Sequence, residues 1–121
     1  KIAATALAFD SDFNTPYNFD DEYSDPVIAD AVYAASLSPS FLNHQNYRFV
    51  INGTHIYLFN QLDNVVPDDD NLLGLGAAML NFYIILASKY SGIGNWRFDT
   101  SDIKADFKNP DDYTLIAALD I

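Results

Sequence analysis

The chain of 121 residues contains no cysteine, which excludes disulfides and thiolate metal sites. Positive charge is scarce: six Lys and Arg stand against seventeen Asp and Glu, a net charge of -11. A field of that sign repels phosphate backbones and anionic lipid surfaces, so either partner would require a basic patch. Lys1, Arg48, Lys89, Arg97, Lys104 and Lys108 are scattered and do not make one, so neither nucleic acid nor membrane is expected as a partner. Long apolar runs are also missing. Residues 72–87 are interrupted by Asn81 and preceded by three Asp, and they fall short of the ~20 residues needed to span hydrocarbon. They read as a buried helix. The run at residues 2–9 is too short for a signal peptide, the opening Lys1 fits a processed product or a fragment, and the expected setting is cytoplasmic. What the chain does have is 50% hydrophobic and 15% aromatic residues, enough to build a core, in a length that suits one domain.

Residues 1–24 differ from the rest. They are rich in Asp and Glu, sustain neither helical nor strand periodicity, and carry Phe9, Phe13, Tyr17, Phe19 and Tyr23. This predicts an extended acidic arm whose rings lie along its own core or along a partner. Residues 25–121 are expected to form the α+β domain. Asp25-Pro26 is a helix start, because the carboxylate can accept from free first-turn amides and proline at the first helical position loses no intrahelical bond. Val27, Ile28, Ala31, Val32, Ala35 and Leu37 follow at helical spacing, and Ser38-Pro39 stops the helix. Residues 47–51 and 54–59 read as two strands joined by Asn52-Gly53, a type I′ hairpin signal. A second helix is expected over residues 72–90. Its end near Gly74, Gly76, Ala77 and Ala78 is thin, and its other end is apolar nearly all round, so it must be enclosed by its own domain or a second subunit. Gly92-Ile93-Gly94-Asn95 ends it, and residues 113–119 read as a final buried strand.

The segment Ser36-Leu37-Ser38-Pro39-Ser40-Phe41-Leu42-Asn43-His44-Gln45-Asn46-Tyr47-Arg48-Phe49-Val50 carries the most specific pattern. It resembles the signature of nitroreductase-like FMN-dependent flavoproteins: a helix ending in Pro-Ser, an Asn three residues on, then Gln and an aromatic-Arg-Phe strand. The following glycine-containing helix, the Gly92-Ile93-Gly94 turn and the last strand keep that family's order, and Asn95-Trp96 resembles a subgroup in which two such halves are fused. The resemblance implies an α+β fold with flanking helices and a long central interface helix. It also implies an FMN-dependent NAD(P)H oxidoreductase, or half of one, using a nicotinamide donor and a small nitroaromatic or quinone-like acceptor, as a homodimer or with a complementary half-domain. Pro39, Ser40, Phe41, Asn43, Gln45 and Arg48 are its candidate cofactor-binding residues. Pro39 fixes the backbone, Ser40, Asn43 and the backbone near Phe41 face the ring or ribityl chain, and Gln45 supports the loop. Neutral amides and hydroxyls suit the edge of such a ring, and the hydride chemistry belongs to the flavin, so no protein acid or base is assigned.

The sequence departs from that pattern in three places, one being that the further basic residue with which the family often closes has no counterpart after the last strand. The usual Arg-rich opening is replaced by acidic residues, and Asn46-Tyr47 stands where Pro-Trp is usual. A phosphate would find only Arg48 and Arg97 as arginine partners, so either a partner chain supplies the clamp or the site is a structural relic. The alternative function is a flavin-free nitroreductase-like scaffold that grips a protein through its acidic aromatic arm. Asp10, Asp12, Asn14 and Asp21 mimic calcium-loop spacing but place Thr15 where glycine is needed. His44 and His55 could make zinc only with carboxylates, so no metal site is assigned. Asn52-Gly53-Thr54 matches a glycosylation acceptor and is better explained by the hairpin. Trp96-Arg97 reads either as a partner contact or as a stacked core pair.

Overall fold

A computed structural model describes residues 3–38, 45–61 and 68–121. The fold is α+β. A short 3-10 turn at Ala4–Ala6 leads into β1 (Ala8–Asp10), followed by α1 (Pro26–Ser36), β2 (Tyr47–Asn52), β3 (His55–Gln61), α2 (Asp68–Lys89) and β4 (Tyr113–Asp120). The four strands form one sheet in the order β1-β2-β3-β4. β1 runs parallel to β2, with α1 making the crossover that a parallel pair requires, and the other neighbours are antiparallel.

Residues 1–24, expected as an arm, contribute β1 to this sheet, and Leu7 and Ala8 are buried in its core. Phe9 and Phe13 stack at 4.6 Å on one sheet face, while Tyr17 and Phe19 pack against the core on the other. Tyr23 alone among the five rings is strongly exposed.

The two sheet faces are covered differently because side chains alternate along each strand. Phe49, Ile51, Ile56 and Leu58 face α1 and α2, whose Ala31, Val32, Ala35, Ala78, Phe82 and Leu86 complete the main core. Phe82 stacks on Phe49 at 4.5 Å, and this contact joins helix to sheet at the centre. Val50 and Phe59 point the other way and are roofed by Phe107, with Phe9, Phe13 and Tyr57 around them. A register shift between Leu58 and Phe59 leaves Ile116 of β4 unpaired. That bulge turns Leu115 and Tyr113 to the Phe107 face, while Ile116, Ala117 and Leu119 stay with the helices.

Both helix starts follow from sequence chemistry. Asp25 caps α1 by accepting from the Val27 amide at 2.9 Å, with Pro26 in the first turn. α2 begins at Asp68, four residues before the expected start, because the three Asp residues form its first turn rather than precede it. Carboxylates are favourable there against the unpaired amides and the helix dipole. The hairpin also differs from expectation by one position. Asn52 pairs with His55, so Gly53 and Thr54 are the central residues, and only Gly53 has positive φ, at 61°. A positive φ confined to the first central position is the type II′ pattern, with glycine doing what Asn52-Gly53 was expected to do jointly.

Candidate functional site

Pro39, Ser40, Phe41 and Asn43, with His44, lie outside the described residues. Gln45 and Arg48 are described, and both are engaged with main chain. Gln45 is buried, and its Nε2 donates to the Ser36 carbonyl at 3.0 Å. The Tyr47 hydroxyl donates to the Ala35 carbonyl at 2.8 Å, and Ser36 Oγ donates to the Tyr33 carbonyl at 2.6 Å. The last carbonyls of a helix have no intrahelical partner, so these three side chains terminate α1, and Gln45 and Tyr47 tie the start of β2 to it. Burial pushes the Tyr47 phenol above its usual pKa near 10, partly offset by its hydrogen bond with Gln45.

Arg48 extends on the opposite side of the sheet. One guanidinium nitrogen donates to the Gln45 and Tyr47 carbonyls at 2.8 and 2.7 Å, and the group lies 5.6 Å from the Tyr113 ring centre. Burial raises the Tyr113 pKa, and the nearby Arg48 charge works against that rise.

A concave site lies elsewhere, between α2 and the chain that returns from it. Gly76, Met79, Leu80 and Tyr83 of α2, with Asn95, Trp96 and Phe98, line a pocket of about 360 Å³. That volume is at the lower end of small-molecule sites, and aromatic walls with few polar groups are the usual lining. The returning chain is held to α2 and to β4 at two points, and one local bond shapes its turn. Trp96 Nε1 donates to the Met79 carbonyl at 3.0 Å, the Trp96 amide donates to Asn95 Oδ1 at 2.8 Å, and the Arg97 and Ala118 main chains exchange hydrogen bonds at 2.9 and 3.0 Å. The Trp96 ring is thereby fixed against Phe82, at 5.7 Å between centres. Gly92, with φ of 79°, makes the reversal after α2 that brings this segment back along the helix.

This pocket offers an apolar surface and no cation. Arg97 pairs with Asp102 at 2.9 Å and also donates to the Asp99 carbonyl, which raises its pKa through the Asp102 hydrogen bond. Lys89 faces Asp25, and Lys108 faces Asp106. The residues that line this pocket therefore offer no cation to meet the phosphate of FMN. Among them, no group of three or more His, Asp or Glu is placed to hold a metal ion, and no helix is long and apolar enough to cross a membrane. His55 Nδ1 instead meets Asp120 Oδ1 at 2.8 Å, joining the hairpin tip to the end of β4.

Sequence reasoning did not find Gly76, Tyr83, Asn95 or Phe98 as a site. The signal was the Gly-Ile-Gly-Asn-Trp turn, which folds an aromatic back onto a helix turn left bare by glycine. The structure does not bring Gln45 and Arg48 to this pocket. No family model matches the chain, and no curated protein or solved structure matches it either.

Proposed function

We propose that the chain is one half of a composite site for a planar aromatic ring, with Trp96, Phe98 and Tyr83 as the aromatic wall. The observation that carries this reading is the pocket itself: an open apolar cleft whose tryptophan is pinned by its ring nitrogen to α2. An indole held in that way gives a ring a rigid surface to stack on at little entropic cost. The nitroreductase-like resemblance is carried by a different segment, Ser36 to Val50, and suggests for the chain an FMN-dependent NAD(P)H oxidoreductase that passes electrons to nitroaromatic or quinone-like acceptors. On this reading a second polypeptide supplies the counter-charge for the phosphate, because the pocket residues of this chain supply none.

Trp96 is the only tryptophan in the chain, so its fluorescence reports the site directly. Titration with lumiflavin, which is the ring alone, should quench it saturably. FMN should bind the isolated chain no more tightly, since its phosphate finds no partner in the pocket. Unchanged emission at saturating concentrations of both compounds would end the flavin reading. A second reading, a flavin-free scaffold, is favoured by Gln45 and Arg48, whose polar groups already serve the main chain.

A further inference from the structure

We propose that the pocket between α2 and the returning chain is a binding site for a quaternary or trimethylated ammonium group, a cation without hydrogen-bond donors, held against the rings of Tyr83, Trp96 and Phe98. This goes beyond the flavin reading and shares only the pocket with it.

The sign of the ligand's charge follows from what surrounds the site. Three rings, the Met79 side chain and Asn95 line it, and none of its lining residues is charged. Residues 73–88, which include the whole α2 wall, carry no charge either. The charge beside the pocket is negative. Asp99 directly follows Phe98, and its carboxylate accepts from the Ser101 hydroxyl at 2.7 Å and the Ser101 amide at 3.1 Å, bonds that hold its pKa below the usual carboxylate range. Arg97, the one cation within residues 91–103, is paired with Asp102 at 2.9 Å. With a net charge of -11 over the chain, the field gathers cations at a cleft of this kind and repels anions. The rings act in the same direction, since a π-system is negative over its face and attracts a cation within about 6 Å of its centre.

The chemical class follows from the hydrogen bonds already made. A lysine-type ammonium brings three N–H donors, each of which needs an acceptor once it leaves water. Acceptors at the pocket are already engaged: the Met79 carbonyl accepts from Trp96 Nε1 at 3.0 Å, and Asn95 Oδ1 accepts from the Trp96 amide at 2.8 Å. A fully methylated nitrogen has no donor to satisfy and turns methyl groups to apolar walls. A volume of about 360 Å³ suits such a head group with a short tail. The walls are prepared for it. Trp96 is locked by its ring nitrogen and backed by Phe82, while Phe98 is 68% exposed, a ring with a face left to cover.

Titration of the full chain at constant ionic strength tests this, with three probes: choline, the acetylated amide of trimethyllysine, and the neutral tert-butyl analogue of choline, in which carbon replaces nitrogen. Binding is followed by Trp96 emission and by broadening of the ligand methyl resonance. At least one of the two cations should bind saturably and at least about fivefold tighter than the neutral analogue. Tighter binding of choline identifies a small free ligand as the source of the group, and tighter binding of the lysine derivative a modified side chain. Phe98→Leu keeps an apolar side chain and removes the π face at an exposed position, so circular dichroism should show the fold intact. It should weaken the cation by about fivefold and the neutral analogue by less than about twofold. Equal affinity for cation and neutral analogue, no saturable binding of either cation, or cation affinity unchanged in Phe98→Leu overturns the inference. The flavin titration is read separately. Lumiflavin that quenches Trp96 where neither cation binds overturns this inference and upholds the half-site reading, whereas a cation that binds where neither lumiflavin nor FMN does has the reverse effect.

Discussion

Asp25→Ala removes three interactions at one joint. Oδ1 accepts from the Val27 amide at 2.9 Å and from Lys89 Nζ at 3.3 Å, while Oδ2 accepts from the Tyr90 hydroxyl. Loss of the cap costs about 1 kcal/mol. A hydroxyl bonded to a charged acceptor contributes about 1.5 kcal/mol or more when partly buried. The Lys89 pair, with side chains 47% and 21% exposed, adds at most about 0.5 kcal/mol. The expected loss is therefore about 3 kcal/mol, on the order of 10 °C in Tm for a domain of this size. The assay is urea unfolding followed by far-ultraviolet circular dichroism, with the slope unchanged between variants. Asp25→Asn keeps an acceptor for the cap and should cost about half as much. Because Asp25 and Tyr90 touch, a double-mutant cycle with Tyr90→Phe should show a coupling of about 1 kcal/mol. A loss under about 0.5 kcal/mol for Asp25→Ala, or strict additivity with Tyr90→Phe, would show that this contact does not hold the start of α1 to the end of α2.

Phe82→Ala empties the fully buried place between Phe49 and Trp96 and should cost about 3 to 5 kcal/mol, with a red shift of tryptophan emission that an unchanged spectrum would contradict. Gly53→Val should cost about 1 to 2 kcal/mol through backbone strain alone, since φ is 61° and nothing crowds an added Cβ; equal stability in chemical denaturation would remove glycine from the turn's requirements. The raised Tyr47 pKa gives an alkaline prediction. The folded state holds that proton more tightly than the unfolded chain, so the contribution of Tyr47 is complete below about pH 10 and is lost as pH rises through its folded value. Tyr47→Phe should flatten the stability profile above pH 10 at the expense of the bond to the Ala35 carbonyl, and identical alkaline slopes for variant and parent would refute the assignment.

The elements that sequence reasoning placed well are those governed by local chemistry. Asp25-Pro26 starts α1 because a cap and a pre-set φ act within one turn, and β4 follows from a run of apolar residues bounded by the turn residues Asn109 to Asp112. The misplacements are of a different kind. An Asp triplet reads equally well before a helix or inside its first turn, since the favourable field extends over both. In Asn52-Gly53-Thr54, either the first or the last pair can occupy the centre of the hairpin, and cross-strand packing of Ile51 on Ile56 selects the register. The rings of residues 1–24 could not be assigned because their partners are remote. Phe13 meets Phe59, Tyr113 and the Phe107 carbonyl, groups 46 or more positions away in the chain.

The candidate site was less legible because the features that build it are relations between segments. A motif reading credits Gln45 and Arg48 with ligand chemistry on residue type and spacing, yet a buried amide and a guanidinium do the same physical work for a helix end or a carbonyl pair as for a cofactor, and here they do that work for Ser36, Gln45 and Tyr47. The pocket depends instead on a bare helix turn at Gly76 and a tryptophan returned to it through a glycine turn. Neither residue has chemistry of its own to announce a site. Hydropathy did mark one consequence: a helix apolar on more faces than its domain can cover leaves Leu73, Leu80 and Ile84 in water. The uncovered stripe and the aromatic cleft are adjacent, sharing Gly76 and Leu80, so whatever covers the first bears on the second.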